Sequence, residues 1–177
     1  MAGSALHLHR VHPDNMGDAE AVFEELGTYS THVDGCPRRP EAAYDFATEL
    51  PPGRDARHKH AFVAYRDDLP IGLLDIVEGY PAPSIAFIGL LAVKERLHGK
   101  GIGRQLYTEA ERLARQTLRA RTIRLAVVEA NPVMGFWRKM GFEPTGEVKP
   151  YLGQNVRSRV ILLEKPLLAP DEERLQG

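Results

Sequence analysis

The sequence predicts an α/β (α+β) fold, a mixed and mostly antiparallel sheet with a central parallel strand pair flanked by helices. Three observations carry this. Ile85 to Val93 is a continuous apolar run that reads as a buried strand. Glycines at Gly99, Gly101 and Gly103 follow, and then apolar residues at Ile102, Leu106, Ala110, Leu113 and Ala114 repeat at helical spacing. Thr122 to Val128 then alternates apolar and polar residues, so strand, helix and strand form a β-α-β unit whose two strands run parallel.

In chain order, Leu6 to Val11 reads as a short first strand. Pro13 opens a helix with Met16, Ala19, Val22, Phe23 and Leu26 on one face, and Gly27 is placed to cap its end. Thr28 to Pro40 (TYSTHVDGCPRRP) is rich in turn residues and reads as a loop. Glu41 to Leu50 reads as a second helix, stopped by Pro51, Pro52 and Gly53. His60 to Arg66 and Ile71 to Glu78 pair as antiparallel strands around a turn from Asp67 to Pro70. After the β-α-β unit, a short helix lies within Glu129 to Phe142, and Glu143 to Tyr151 with Val156 to Leu163 closes the chain as a hairpin. Residues 1–166 are expected to form one domain and 167–177 a polar tail.

The 177 residues suit one core, and 43% apolar with 27% charged residues is ordinary for a folded domain. No apolar run approaches the length of a membrane span, and MAGSALHLHR carries no signal-peptide core, so no membrane and a cytoplasmic location are expected. Cys36 is the only cysteine, which excludes an internal disulfide, and its GCPRRP setting reads as a loop rather than a nucleophile's site. His7 and His9 share a strand face without a third ligand at metal-site spacing, so no metal is expected. The net charge of −1 hides an asymmetry: Met1 to Val93 has seven Lys/Arg against fourteen Asp/Glu, and Lys94 to Lys139 has eleven against four. A basic middle suits a polyanionic cofactor, and an acidic first half suits a cationic substrate. Basic residues are not interleaved with aromatics, which speaks against nucleic acid.

A strand feeding a glycine-rich turn at a helix N-terminus makes an anion site, because the first helical N–H groups lack partners and the helix dipole adds positive charge. Gly103 is followed by Arg104 and Gln105, not the Lys-Ser/Thr of a nucleotide-binding loop, and the glycine spacing does not fit a dinucleotide fingerprint. LAVKERLHGKGIGRQLY, Leu91 to Tyr107, resembles the loop by which the GNAT family of N-acetyltransferases holds coenzyme A, with His98 where that family usually has Gln or Arg. The family's second motif is matched by Asn131, Phe136-Trp137 and Gly141-Phe142, one residue shorter than usual between Asn and Gly-Phe.

The resemblance implies the GNAT fold, with the parallel strands splayed apart so that the pantetheine arm of acetyl-CoA pairs with exposed backbone. It implies that Val93 and Ala92 bond that arm and that the Leu91 N–H is an oxyanion donor, with Gly89 accommodating a bulge. It implies that His98, Gly99, Lys100, Gly101, Ile102, Gly103 and Arg104 meet the pyrophosphate, and that Asn131, Phe136 and Trp137 line the other side. Many members have a Tyr acid where this chain has Trp137, and Tyr151 is a candidate substitute. Histone-acetylating members place a carboxylate on the cofactor strand, but Ser84 to Val93 has none. The candidate bases are Glu78, taken first for its place near a strand end, then Asp75 and Glu129, with an ordered water as an alternative. The resulting expectation is acetyl transfer from acetyl-CoA to a primary amine of a small molecule, by direct attack in a ternary complex. The alternative is a non-catalytic acyl-CoA-binding sensor. The variable segment Thr28 to Arg57 is expected to choose the acceptor, and a homodimer, common in the family, stays open.

Overall fold

In the computed structural model, residues 4–36, 39–168 and 172 are described. The predicted tail therefore lies largely outside the described residues, as do positions 37 and 38 of the predicted Thr28–Pro40 loop. The elements are β1 (His7–Arg10), α1 (Met16–Glu24), α2 (Gly27–Asp34), α3 (Ala42–Thr48), β2 (Lys59–Arg66), β3 (Leu69–Glu78), β4 (Ile85–Val93), α4 (Ile102–Arg112), β5 (Thr122–Val128), α5 (Met134–Lys139), β6 (Glu143–Leu152) and β7 (Arg157–Pro166). Among the described residues the strands form one sheet in the order β1-β2-β3-β4-β5-β7-β6. All neighbours are antiparallel except β4 and β5. The expected mixed sheet with a central parallel pair is the observed one. Among the described residues no helix is long and apolar enough to cross a membrane.

The two sheet faces bury different helices. On one face α4 lays Ile102, Leu106, Tyr107 and Ala110 against Leu74, Ile76, Ile88 and Ile123, with Phe142 fully buried beside them. On the other, Ala19, Val22 and Phe23 of α1, with Leu26 just beyond it, and Phe46 of α3 pack on Val63, Leu73 and Ala92. Period-2 alternation in β3 divides the faces: Leu73, Asp75 and Val77 face α1 and α3, while Leu74, Ile76 and Glu78 face α4.

Four expectations are corrected. The Thr28–Pro40 segment is not all loop, because its first half is α2. The Glu95 carboxylate supplies what the segment's composition lacks, accepting from the Thr28 N–H at 2.6 Å and from Thr28 Oγ1 at 3.0 Å. Gly27 consequently begins α2 rather than ending α1, and the left-handed residue that closes α2 is Gly35 (φ 72°). The β2–β3 turn has two residues, Asp67 and Asp68, both at positive φ (51° and 61°), so Leu69 and Pro70 already belong to β3. A primed two-residue turn matches the twist of a hairpin, and Asp tolerates the left-handed region better than most residues. Pro13 opens a short 3-10 turn, Pro13–Asn15, rather than α1 itself.

Candidate active site

The parallel contact between β4 and β5 is short. Ile85 to Ile88 pair with Thr122 to Leu125, and β4 then parts from β5, which continues alongside β7. The parting begins at a bulge. Asp75 pairs with Leu90 and Ile76 with Ile88, which leaves Gly89 as the extra residue. A side chain there would force Asp75 to move, since a Cβ would lie 2.5 Å from Asp75 Oδ2. Beyond the bulge, the Lys94 N–H bonds Ile71 O on β3 at 2.9 Å. Backbone groups alternate sides along a strand, so Ala92 also faces β3, and the N–H groups of Leu91 and Val93 face the opened side.

A cavity of 610 Å³ fills this opening, lined by Leu91 to Val93, by His98, Gly99 and the stretch Gly101 to Arg104, and by Asn131 and Phe136. Its floor includes the N-terminus of α4. No side chain caps that end, and the first helical bond is from the Gln105 N–H to Gly101 O. The N–H groups of Ile102, Gly103 and Arg104 therefore lack intrahelical partners. Gly99 and Gly101 both take φ +77°, with open space where a Cβ would stand. A Cβ on Gly103 would sit 3.3 Å from Phe136 Cε2, so this glycine sets how closely α5 approaches the loop. Uncapped N–H donors, open glycines and the Arg104 and Lys139 side chains fit a pyrophosphate, and the free strand edge fits an amide-bearing arm.

Several predicted contacts are relocated. His98 Nε2 lies 2.7 Å from Val93 O, so the imidazole occupies that carbonyl and holds the loop to the strand end. Ala92 lines the cavity, but its backbone groups are turned to β3. Lys100 is exposed outside the lining. Trp137, 7% exposed, is a core residue packed edge-to-face on Tyr107, Phe136 and Phe142, and does not line the cavity.

A second cavity, of 460 Å³, lies on the α1–α3 face of the sheet and reaches Gly89 and Leu90. Asp75 stands in its wall, 8% exposed. Oδ2 is 3.0 Å from Lys59 Nζ, and Oδ1 is buried with no hydrogen-bond partner. Lys59 is held in turn by Glu49 O at 2.8 Å. Burial pushes the Asp75 carboxyl up to about 6, against the pull of Lys59 in the opposite direction. Arg39 crosses the same cavity between Asp45 (2.7 Å) and Asp34 (3.6 Å).

Among the described residues, Tyr29 is the one side chain that lines both cavities. Burial, with Tyr151 and Asp34 nearby, pushes its hydroxyl up to about 12. Of these two cavities Tyr151 lines the second alone, and its hydroxyl too is raised by burial. What places Tyr29 is a set of ties between the α1–α2 corner and the segment after β4. Besides the Glu95 cap, Glu25 pairs with Lys94 at 3.1 Å and Arg96 at 2.8 Å, and its carbonyl accepts from the Glu95 N–H.

Of the predicted bases, the structure brings only Asp75 to a cavity. Glu78 lies on the α4 face, 3.1 Å from His60 Nε2. Strand parity could have shown this, since positions 75 and 78 fall on opposite faces. Glu129 is tied to Arg159, which holds its carboxyl below the usual range. Tyr29, Lys59 and the Asp34–Arg39–Asp45 group escaped sequence reasoning because only the tertiary fold converges them.

A family model described as the acetyltransferase (GNAT) family matches residues 20–142. The chain is 26% identical to an acetyltransferase from Thermus thermophilus, with a TM-score of 0.73 over 94% of this chain and 100% of that one. It is 17% identical to spermidine N-acetyltransferase from Vibrio cholerae in complex with CoA and spermine, with a TM-score of 0.69 over 91% and 95%. It is 13% identical to the ribosomal-protein-S18-alanine N-acetyltransferase from Escherichia coli, with a TM-score of 0.65 over 94% and 97%. No curated sequence matches the chain.

Proposed function

The chain belongs to the GNAT family of acetyltransferases, and from that membership we propose that it moves an acetyl group from acetyl-CoA to the primary amine of a small molecule. What supports this reading is a pair of cavities lined by successive stretches of β4 and sharing Tyr29, one beside the uncapped α4 N-terminus and one walled by a buried carboxylate. Acetyl-CoA supplies the activated acyl group, and two adjoining cavities suit direct attack in a ternary complex.

The chain's own residues then divide the work. The α4 N-terminus, with Gly99, Gly101 and Arg104, holds the pyrophosphate, and Val93 N–H with Asn131 and Phe136 orients the arm. The Leu91 N–H, turned to the opened side, is the donor for the thioester oxygen. Asp75, half ionised at about pH 6, takes a proton from the incoming ammonium and hands it to solvent. Tyr29, not Trp137, offers a hydroxyl at the border of the cavities, where a departing thiolate needs a donor. At about 12 it stays protonated beside a thiolate whose own value is near 8.5, so it hydrogen-bonds the sulfur without giving up its proton.

The test is release of CoA thiol from acetyl-CoA with a panel of amines, beside a binding titration of acetyl-CoA. Saturable, amine-dependent release is the expected result. Tight binding without release on any amine would favour the acyl-CoA-binding sensor instead.

A further inference from the structure

The acceptor cavity is specific in composition as well as place. Six aromatic rings line it: Phe23, Tyr29, Phe46, Tyr80, Phe87 and Tyr151. They include two edge-to-face pairs, Phe23–Phe46 with centroids 5.9 Å apart and Tyr80–Phe87 at 5.5 Å. The charged lining consists of Asp34, Asp45, Glu49 and Asp75 against Arg39 and Lys59. Formally that is four negative groups against two positive ones. Both cations are already engaged, Arg39 by Asp34 and Asp45, and Lys59 by Asp75.

Among the described residues, a ligand carboxylate entering this cavity would find no unpaired cation and would add a like charge to a site already in negative excess. An ammonium group, by contrast, meets Asp75, a carboxylate in the cavity wall whose one cation partner is Lys59. Aromatic faces attract a cation and bury an apolar body at the same time. A second ammonium further along the ligand would meet no carboxylate that is both buried and free of Arg39. Asp34 and Asp45 share Arg39, and the remaining carboxylate, Glu49, is exposed.

Resting on the acetyltransferase reading above, we propose that the acceptor is a primary amine on an aromatic body without a carboxylate, an arylalkylamine, its nitrogen on Asp75 and its ring among Phe46, Tyr80 and Phe87. The carboxylate then selects the amine and the rings select what carries it. α-Amino acids are excluded by their carboxylate, and linear diamines lack the apolar body that the rings enclose. Gly89 belongs to this device, because a side chain there would displace the Asp75 carboxylate.

The experiment uses matched pairs that differ only by a carboxylate. Binding of 2-phenylethylamine, L-phenylalanine, tryptamine, L-tryptophan and putrescine to the CoA-saturated protein is measured by calorimetry, with thiol release from acetyl-CoA run on the same panel. The arylalkylamines are expected to bind at least about tenfold more tightly than their amino acids and than putrescine. Asp75→Asn is expected to weaken the arylalkylamines at least about tenfold while CoA affinity holds. Because Asp75→Asn leaves Lys59 buried without its partner, the wild-type comparison stands by itself should that variant fail to fold. Amino acids or putrescine binding as well as or better than arylalkylamines would overturn the proposal, as would no binding of any amine, or unchanged affinity in a folded Asp75→Asn. Arylalkylamine binding without thiol release would uphold the cavity's selectivity and sink the transferase reading. Release on amino acids alone would do the reverse.

Discussion

At the residue scale the account rests on Asp75, Lys59 and Tyr29. Desolvation raises Asp75 and Lys59 lowers it, and desolvation prevails, leaving the carboxyl at about 6. The pH dependence has a definite sign. The base is inactive when protonated, so turnover rises as pH increases through about 6 and levels off above it. Removing the charge that holds Asp75 down shifts this limb upward, so Lys59→Met moves the half-maximal pH of kcat/KM to a higher value than wild type. A limb that stays put or moves down in a folded Lys59→Met contradicts Asp75 as the base. For Tyr29, loss of a hydrogen bond to a charged sulfur is worth about 1.5–3 kcal/mol, so Tyr29→Phe lowers kcat roughly 10- to 100-fold. Tyr151→Phe, assayed beside it, loses less, because Tyr151 lines the acceptor cavity and not the cofactor one. An equal or larger fall for Tyr151→Phe moves the donor role to that residue. Asp75 was within reach of the sequence, since strand parity separates it from Glu78. Tyr29 was not, because nothing local marks a tyrosine in TYSTHVDG as facing two cavities.

At the scale of elements, glycines and apolar periodicity placed the strand, loop and helix from Ile85 onward, and β4, α4 and β5 lie where they were expected. Those signals are local: a run of nine apolar residues, a 3.6-residue repeat and an alternation. α2 has no such signal. Its burial is slight, with Ser30 its one buried residue, and the Thr28 N–H in its first turn is capped by a carboxylate 67 positions away. Glu95→Ala removes that cap and is expected to cost about 0.5–2 kcal/mol, lowering the melting temperature by roughly 2–4 °C per kcal/mol. Turnover falls with it as Tyr29 loses its anchor, and an unchanged melting temperature would show that α2 does not depend on the cap. At the other end of the cleft, Gly101→Glu sets a carboxylate and a strained left-handed residue at the α4 N-terminus (φ +77°) and abolishes binding of acetyl-CoA. Retained affinity in that variant, measured by calorimetry, would move the cofactor site elsewhere.

For the whole molecule, the split sheet is held open by what packs behind it. Phe142 and Leu106, both 0% exposed, and Trp137, 7% exposed, join α4 and α5 to the sheet face opposite the acceptor cavity. The aromatic pair read from the motif thus divides its duties, Phe136 to the cavity and Trp137 to the core. The β2–β3 hairpin, the parallel β4–β5 pair and the closing hairpin followed from sequence. Convergence of the acidic first half on one cavity did not, because Asp34, Arg39 and Asp45 meet Asp75 only once α2 and α3 fold over β3 and β4. The charge asymmetry between the halves of the chain foretold its direction all the same: the cavity built by the acidic half carries a negative excess, and that beside the basic segment carries Arg104 and Lys139. The central claim is that these two cavities pass an acetyl group directly between them. It is tested by incubating the protein with acetyl-CoA labelled in its acetyl group and an arylalkylamine, then locating the label by mass spectrometry. The account predicts label on the amine nitrogen and none on the protein. Label retained on a side chain, or left wholly on CoA, would contradict it.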